Sequence, residues 1–183
     1  LLGALGAAAF LLVYTRLMGY AGDRVTAWRH PELDPGDTGY QILQSLYAIG
    51  SGGLFGLGLG KSRQKYLYLP FQYNDYIFAI ACEELGLVGA VGIMVLFALL
   101  ILRGFWIARQ AQTRFSTALA AGLISLIAVQ TVLNLCVVTN LLPSTGIALP
   151  FFSYGGTALA VNLGEMGIVL NISRKRTIQE ANT

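Results

Sequence analysis

Four stretches of the chain are long and apolar enough to cross a membrane. Leu85–Leu102 carries no charged residue over 18 positions, and Phe115–Leu142 carries none over 28. Ile147–Ile172 carries one, Glu165, and the chain opens on a fourth apolar stretch, Leu1–Met18. About 20 apolar residues cross the roughly 30 Å of a bilayer's hydrocarbon layer. The pattern therefore predicts an all-α membrane protein with transmembrane helices at 1–18, 76–102, 115–142 and 147–172.

The composition of the chain supports a membrane location. Of its 183 residues, 55% are hydrophobic and only 11% are charged, whereas roughly a quarter of the residues in a soluble domain are charged. The sequence opens inside an apolar run, without an initiator methionine and without the basic region of a signal peptide. We therefore expect it to begin within a helix, with further helices preceding it.

The distribution of basic residues predicts the topology. The connection 103–114 carries three arginines and no acid, and the tail 173–183 carries three basic residues against one acid. Short basic segments of this kind stay in the cytoplasm, which leaves the turn 143–146 and the loop 19–75 on the outer side. Acidic residues nearly balance the basic ones in that loop. The net charge of +3 thus indicates topology and contact with anionic lipid rather than nucleic-acid binding.

The outer loop contains a predicted helix and a glycine-rich segment. Asp37 or Thr38 can cap a helix that starts near Gly39 and ends at Gly50. Its apolar residues recur at helical spacing, which suits either a helix on the membrane surface or a cover over the helix bundle. Six glycines then fall within Gly50–Gly60, and glycine permits close backbone approach and positive φ.

The glycine-rich segment ends in Gly60-Lys61-Ser62, as the phosphate-binding loop of a nucleotide-binding protein does. That motif also requires a glycine at the position that Phe55 holds, and Gly56 is one residue too close. No parallel-sheet pattern surrounds the segment. We therefore expect no nucleotide to bind here.

A cluster of cations follows the glycines. Lys61, Arg63 and Lys65 alternate with Ser62 and Gln64. Fixed cations and polar donors suit phosphate or pyrophosphate, since lysine and arginine both pair with phosphate oxygens. Lipid headgroups offer the same chemistry, so the cluster alone also fits a simple headgroup contact.

Asp75 is the candidate catalytic residue. It stands where the loop returns to the membrane, close in sequence to Tyr73, Tyr76 and Phe78. A carboxylate in an apolar wall can have its pKa raised toward the range useful for a general base. The sequence therefore combines an anion site and a base within one loop.

Two further acids, Glu83 and Glu84, follow on the predicted helix. On a continuous helix Glu83 would lie about 12 Å from Asp75 at 1.5 Å per residue, further apart than the roughly 5–9.5 Å of paired glycosidase carboxylates. We expect the two glutamates to fix local structure, bind a cation or pair with the loop cations. Cys82 and Cys136 have no metal-ligand spacing and are expected to be free thiols.

Three motifs, in the same order, resemble the SEDS family of FtsW, RodA and SpoVE proteins. They are GDTGYQILQSLYAIGSGGLFGLGLGKSRQKYLYLP, then NDYIFAIACEELGLVGA, then LLPSTGIALPFFSYGGTALAVNLGEMGIVLNISR. The match runs from about Arg24 to Arg174, and the motifs are most similar to the FtsW/SpoVE branch. The resemblance implies a ten-helix bundle with a large extracytoplasmic loop, of which this chain would be the last four helices.

The resemblance also implies a function. It is that of a peptidoglycan glycosyltransferase in the bacterial cytoplasmic membrane, which polymerises lipid II at the outer face and works with a class B penicillin-binding transpeptidase. It implies support by a divalent cation, Mg²⁺ or Mn²⁺, and places the essential aspartate at Asp75. The substrate-binding candidates are the loop residues, the Glu-Glu-Leu-Gly acids and the first residue of the Ser-Tyr-Gly-Gly motif, namely Lys61, Ser62, Arg63, Gln64, Lys65, Glu83, Glu84 and Ser153.

The sequence departs from the family pattern at a few positions. Phe71 replaces the glutamate that usually precedes the aspartate, Thr157-Ala158 stand where two serines are common, and Glu165 holds an expected apolar position. Two alternatives stay open from the residues. One is a lipid II flippase with its polar groups along a path through the bundle, and the other is a non-catalytic scaffold for the transpeptidase. The polar groups of such a path would be Gln130, Asn134, Asn140, Asn162 and Glu165. Polar residues of this kind also serve as contacts between helices, which is the interpretation favoured here.

Overall fold

A computed structural model describes residues 22, 24–33, 38–63 and 75–180, and the described part is helical without any strand. A helical segment at 24–29 and a 3₁₀ turn at Pro31–Leu33 precede the longer helices. We number these α1 (Thr38–Ser51), α2 (Ile77–Arg109), α3 (Arg114–Val138) and α4 (Gly156–Glu180). The predicted helix at 1–18 lies outside the described residues.

Two of the described helices, α2 and α3, are long and apolar enough to cross a membrane. Only 22% of the most apolar part of α2 and 33% of that of α3 is buried within the chain. Helices in a soluble core would be mostly buried. The apolar surfaces of α2 and α3 are therefore free to face lipid or other membrane helices.

The boundaries of α2 and α3 differ from those predicted at 76–102 and 115–142. Helix α2 continues through the arginines to Arg109, where the guanidinium of Arg103 lies 3.9 Å from the ring centroid of Trp106. The predicted basic connection 103–114 thus shrinks to residues 110–113, and Thr113 Oγ1 caps α3 by accepting from the Ser116 amide. Helix α3 ends at Val138, since Asn140 has a φ of 58°.

The last helix begins at Gly156, nine residues after the predicted start at 147. Proline at position 150 has no amide hydrogen to continue a helix, and Phe151 has a φ of 65°. The amides of Phe152 and Ser153 both donate to the Leu149 carbonyl, closing a tight turn. The predicted turn 143–146 is therefore part of a longer connection, residues 139–155, which folds back against α2 with Phe152 beside Phe97.

Helix α3 packs on α2 through a buried stripe whose residues lie three or four positions apart up to Asn134, which keeps them on one helix face. At the crossing, a β-carbon on Gly104 would lie 2.3 Å from Ile124 Cδ1, so glycine lets the two helices approach closely. The stripe consists of Ala120, Ile124, Ile127, Thr131, Asn134, Val137 and Val138.

Helix α1 matches the predicted helix near Gly39–Gly50 and covers the bundle. Ala48 is fully buried in the core cluster with Ala79, Cys82 and Leu149. The hydroxyl of Ser45, also fully buried, donates to the Val138 carbonyl at 3.0 Å. Of the two interpretations left open by the sequence, a surface helix or a cover, the packing favours the cover.

Candidate functional site

Asp75 lies two residues before α2, at the end of the bundle where the connection 139–155 also passes. Its side chain is half-buried, and a β-carbon on Gly146 would lie 3.6 Å from its Oδ2. Gly146 has a φ of 71°, a conformation that favours glycine. The connection therefore approaches the carboxylate closely without a side chain in between.

Asn134 of α3 fixes the backbone at Asp75. Its amide nitrogen donates to the carbonyls of Asp75 and Ile147, each at 2.8 Å. Because Asn134 is only 1% exposed, water cannot readily replace these bonds. One buried side chain thus holds the start of α2 and the connection together. Of the two roles open to Asn134 from the sequence, a transport path or a contact between helices, these bonds favour the contact.

Arg24 lies near the same carboxylate, a proximity that the sequence analysis missed. Its guanidinium donates to the Ser144 carbonyl at 2.8 Å, and Trp28 Nε1 donates to the Asn140 carbonyl at 2.9 Å. The helical segment 24–29 is therefore tied across the connection. The family resemblance begins at about Arg24, and this was the one feature of the sequence that could have pointed to a role for this residue.

Burial and charge act in opposite directions on Asp75. Partial burial raises the pKa of the carboxyl above its ordinary value, and the Arg24 cation opposes that shift. Burial disfavours the charged form, while a nearby opposite charge favours it. The result is a carboxylate that is a stronger base than a solvated one, with a cation beside it to keep it ionised.

Helix α2 is interrupted at Gly86, whose φ is 70° and ψ −169°. In an unbroken helix the amides of Leu87 and Val88 would donate to the carbonyls of Glu83 and Glu84. Here they donate instead to carbonyls of the glycine-rich segment, Gly53 at 2.9 Å and Leu54 at 3.2 Å.

The freed carbonyls of the helix find partners in the same segment. Glu83 O accepts from the Leu57 amide at 2.9 Å, and Glu84 O accepts from the Gly58 amide at 3.0 Å. Each missing helical bond is thereby replaced by two bonds to residues 53–58, which we call the glycine loop. The amides of Leu57 and Gly58 are consequently occupied, so they do not serve as phosphate donors.

The glycines permit this docking. A β-carbon on Gly56 would lie 2.2 Å from the Glu84 carbonyl oxygen, and one on Gly86 would lie 2.3 Å from the Gly56 nitrogen. Contacts below 3.0 Å to backbone cannot be relieved by a side-chain rotation. The glycine-rich sequence is therefore explained by backbone-to-backbone packing against α2.

Glu83 holds the segment that follows the glycine loop. Its carboxylate accepts a hydrogen bond from the Ser62 hydroxyl at 2.5 Å and one from the Arg63 amide at 3.0 Å. Both Glu83 and Ser62 are 1% exposed. We call this arrangement the Glu83 clasp. Because the break at Gly86 lies beyond Glu83, the helix between Asp75 and Glu83 is intact and the two carboxylates form no direct pair.

The other candidates occupy different places. The side chains of Lys61 and Arg63 are exposed, and Glu84 is half-buried with an Oε1 that has no partner among the described residues. Ser153 Oγ accepts from the Leu149 amide at 2.8 Å. Ser62 and Ser153 thus each make a hydrogen bond within the chain. Gln64 and Lys65 lie outside the described residues.

Ser153 also lines a cleft of about 370 Å³ between α3, α4 and the connection. Gln130 and Asn162 supply further polar groups, and the remaining lining is largely apolar. The cleft is therefore separate from the Glu83 clasp, and the sequence candidates divide between two places.

The resemblance implied a divalent cation. Among the described residues, no group of three histidines, cysteines or acids comes together to hold a metal. Glu83 is engaged by the clasp, which leaves Asp75 as one available carboxylate with a cation nearby. The described residues alone therefore do not form a metal site.

The helices and the site define a helical membrane protein with a carboxylate held at one end of its apolar helices. The chain belongs to the FtsW/RodA/SpoVE family, since the family model, described as a cell cycle protein, matches residues 1–178.

Curated relatives agree with that assignment. The chain is 51% identical over 155 residues to stage V sporulation protein E of Bacillus subtilis, covering 85% of this chain and 42% of the relative. It is 45% identical over 174 residues to a probable peptidoglycan glycosyltransferase FtsW of Geobacter sulfurreducens, covering 94% of this chain and 47% of the relative. The chain thus spans about half the length of the curated relatives it matches.

Solved structures share the fold. A chain of a peptidoglycan synthase complex, described for its coordination of polymerization and crosslinking, aligns with a TM-score of 0.69 and 34% identity over 96% of this chain and 48% of that one. A mutant of the rod shape determining protein RodA of Thermus thermophilus aligns with a TM-score of 0.56 and 35% identity, over 72% of this chain and 40% of that one.

Replacing Gly86 by alanine should detach the glycine loop. The new residue would have to keep a φ of 70° with a ψ of −169°, a nearly glycine-only conformation that costs about 1–3 kcal/mol, and its β-carbon would collide with the backbone of Gly56 and Leu54. We expect a lower melting temperature of the purified protein in detergent. The matched control is Gly92→Ala on the same helix, where nothing lies within 4 Å. Equal melting temperatures for both variants would contradict the docking.

Weakening the Glu83 clasp should make the backbone at Lys61 and Arg63 more accessible to protease. Glu83→Gln keeps the size of the side chain but removes one acceptor oxygen, so Ser62 or Arg63 loses its partner at a cost of about 1–3 kcal/mol. Since about 1.4 kcal/mol is a factor of ten, trypsin should cleave after Lys61 and Arg63 about tenfold faster. Glu32→Gln, in the exposed 3₁₀ turn, is the control and should cleave like the parent. An unchanged rate in Glu83→Gln would mean that the clasp does not hold the segment.

Proposed function

We propose that the chain is the C-terminal part of a ten-helix peptidoglycan glycosyltransferase that polymerises lipid II, with Asp75 as the general base. Family membership and the glycosyltransferase name of the FtsW relatives support the reaction class. One observation carries the role of Asp75, namely its half-buried carboxylate fixed at the end of a membrane helix beside Arg24. In this proposal α4 spans the membrane alongside α2 and α3.

The proposed reaction joins two lipid-linked sugars. A hydroxyl of the acceptor lipid II attacks the anomeric carbon of the donor glycan, and the bond from that carbon to the pyrophosphate oxygen breaks. The pyrophosphate leaves with the bonding electron pair while Asp75 takes the hydroxyl proton. General acid–base catalysis of this kind typically contributes about 10²–10⁴-fold to the rate.

The heights of the groups along α2 suit this chemistry. The uncharged part of the helix begins directly after Glu84, which places Glu84 near the edge of the hydrocarbon layer. Arg63 is bound at the level of Glu83, among the lipid phosphates, where its cation could meet the leaving pyrophosphate. Ile77 lies about 10 Å further out by the helical rise, so Asp75 reaches the sugars beyond the headgroups.

Some elements of the proposal rest on the family resemblance. A divalent cation, Mg²⁺ or Mn²⁺, would neutralise charge on the pyrophosphate when bound, and the Asp75 and Glu84 carboxylates are the candidates among the described residues to contact it. Gln64 and Lys65 are proposed to extend the anion site beyond Arg63, and Ser153 to contact substrate from the cleft.

We also propose a partner and an orientation. The structural similarity to a chain of a peptidoglycan synthase complex supports a class B penicillin-binding transpeptidase as partner. The arginines at the 103–114 end of α2 and α3 and the basic tail support an orientation with those ends in the cytoplasm of a bacterial cell. The loop with Asp75 then lies on the outer side, where lipid II is polymerised.

A flippase is the second candidate, and the cleft between α3, α4 and the connection favours it. The cleft combines Gln130, Ser153 and Asn162 with apolar walls at membrane depth. Polar residues in such positions also serve as contacts between helices, and Asn134 already does so. A scaffold for the transpeptidase would need neither the cleft nor Asp75.

Asp75→Asn should abolish glycan polymerisation and leave a folded, membrane-inserted protein. Asparagine has nearly the same size and keeps an oxygen, but it cannot take the acceptor proton, so the rate should fall by at least about 10²–10⁴-fold. The full-length protein and its transpeptidase, purified and supplied with lipid II, provide the measurement. Near-normal glycan synthesis by Asp75→Asn would favour the flippase or the scaffold.

Arg24→Gln should shift the pH profile of polymerisation. Arg24 lowers the pKa of Asp75, so its removal raises that pKa further and the base becomes protonated at higher pH. The acidic limb of kcat/KM should therefore move to higher pH, while the rate at alkaline pH is retained. Arg29→Gln, an exposed cation on the same helical segment, should leave the profile unchanged. A limb that stays in place for Arg24→Gln would separate Arg24 from the ionisation of Asp75.

A further inference from the structure

The glycine loop lies at a definite height on α2. Leu85–Leu102 is uncharged over 18 residues and is bounded by Glu84 and Arg103. Eighteen residues rise about 27 Å at 1.5 Å per residue, close to the roughly 30 Å of the hydrocarbon layer. The glycine loop is bonded to residues 83, 84, 87 and 88. It therefore sits at one boundary of that layer.

The loop presents apolar side chains outward at this boundary. Leu54 is 61% exposed, Phe55 83% and, just after the loop, Leu59 77%. In water such a cluster would be costly, since exposed apolar surface is unfavourable there. The backbone beneath it is satisfied by α2, as non-helical backbone near lipid must be. The loop thus exposes these side chains while four of its backbone groups, the Gly53 and Leu54 carbonyls and the Leu57 and Gly58 amides, are bonded to α2.

The apolar surface continues from the loop onto the helix. Val88, which bonds the loop through its amide, is 62% exposed, and Val95 and Leu99, seven and eleven residues further along on the same helix face, are 49% and 57% exposed. Loop and helix form one apolar surface that runs from the boundary to the middle of the hydrocarbon layer. A lipid that contacts the helix there would contact the loop as well.

A cation flanks the apolar side chains. Lys61 is exposed, and its stem folds back over the loop, since a β-carbon on Gly58 would lie 3.5 Å from its Cδ. A long basic side chain at a membrane boundary can lay its stem along apolar surface and keep its charge among the headgroups. The charge complements anionic lipid phosphates.

We propose that the glycine loop is a lipid-binding anchor, in which Leu54, Phe55 and Leu59 insert among the lipids at the membrane boundary and Lys61 binds anionic headgroups. The anchor holds the Glu83 clasp, and with it Arg63, at the height of the lipid phosphates. The inference rests on the membrane location of the family and on the height of the loop, and it does not require the proposed glycosyl transfer.

Spin labels can measure the position of the loop. The full-length protein, with Cys82 and Cys136 replaced by alanine, is labelled singly at Phe55→Cys and reconstituted in vesicles of phosphatidylcholine and phosphatidylglycerol. Collisions with oxygen, which concentrates in lipid, are compared with collisions with a water-soluble nickel chelate. Glu32→Cys in the exposed 3₁₀ turn is the water control, and Leu96→Cys on α2 is the lipid control.

We expect oxygen to exceed the nickel chelate at position 55, with a ratio between those of positions 96 and 32. A nickel-dominated signal like that of position 32 would place the loop in water and overturn the anchor. A label that neither reagent reaches would show that protein covers the loop, which also overturns it. Since the readout is accessibility, an inactive enzyme would leave this test intact.

The role of Lys61 has its own measurement. Raising the phosphatidylglycerol fraction should draw the label at position 55 deeper and raise its oxygen-to-nickel ratio. Lys61→Gln should abolish that response, whereas Arg29→Gln should retain it. A ratio that does not depend on phosphatidylglycerol in the parent would overturn the binding of anionic headgroups.

Discussion

The pairing of backbone groups around the break in α2 is the constraint on which the rest of the site depends. A helix interrupted at the edge of a membrane exposes amides and carbonyls that neither lipid nor the helix itself can satisfy. Four bonds from the glycine loop satisfy them at Glu83, Glu84, Leu87 and Val88. Because those bonds fix the end of the glycine loop, they also fix the start of the segment that carries Lys61 and Arg63.

Buried polar side chains carry the arrangement outward from the break. Glu83 fixes Ser62 and Arg63 on one side of the helix, and Asn134 fixes the backbone of Asp75 on the other. Glu83, Ser62 and Asn134 are each 1% exposed, so the bonds they make would be costly to lose. The cation and the base are therefore positioned by two separate sets of contacts to the same helix.

The helices could largely be predicted from the sequence, and the docking of the loop could not. Long uncharged runs locate α2 and α3 because burial in lipid demands them, and Thr38 and Gly50 bracket α1 closely. The late start of α4 at Gly156 depends on a turn closed by Ser153 and Pro150, which hydrophobicity does not register. The residues of this turn are themselves apolar, so the apolar run that predicted a helix from residue 147 extends through it.

The sequence identified candidate residues of the site, but it did not predict how they are arranged in space. Asp75 was identifiable as the acid where the loop returns to the membrane. Glu83 was identifiable as an acid on a membrane helix, which was expected to fix local structure or pair with a cation. The proximity of Arg24 to Asp75 depends on a contact with Ser144, 120 residues away, and no spacing rule reaches that far. Similarly, the spacing of the glycines argued against a nucleotide-binding loop, but only the position of Gly56 against Glu84 shows what they contact.

The order of the paired segments along the chain bears on how the protein is made. The glycine loop precedes the break in α2 by some 30 residues, so it leaves the ribosome before its partner does. When the broken turn of α2 enters the membrane, the segment that completes it has already been synthesised. The opposite order would leave an incomplete helix waiting in the bilayer with unpaired groups. Biosynthesis in this direction supplies the complement first and the interrupted helix second.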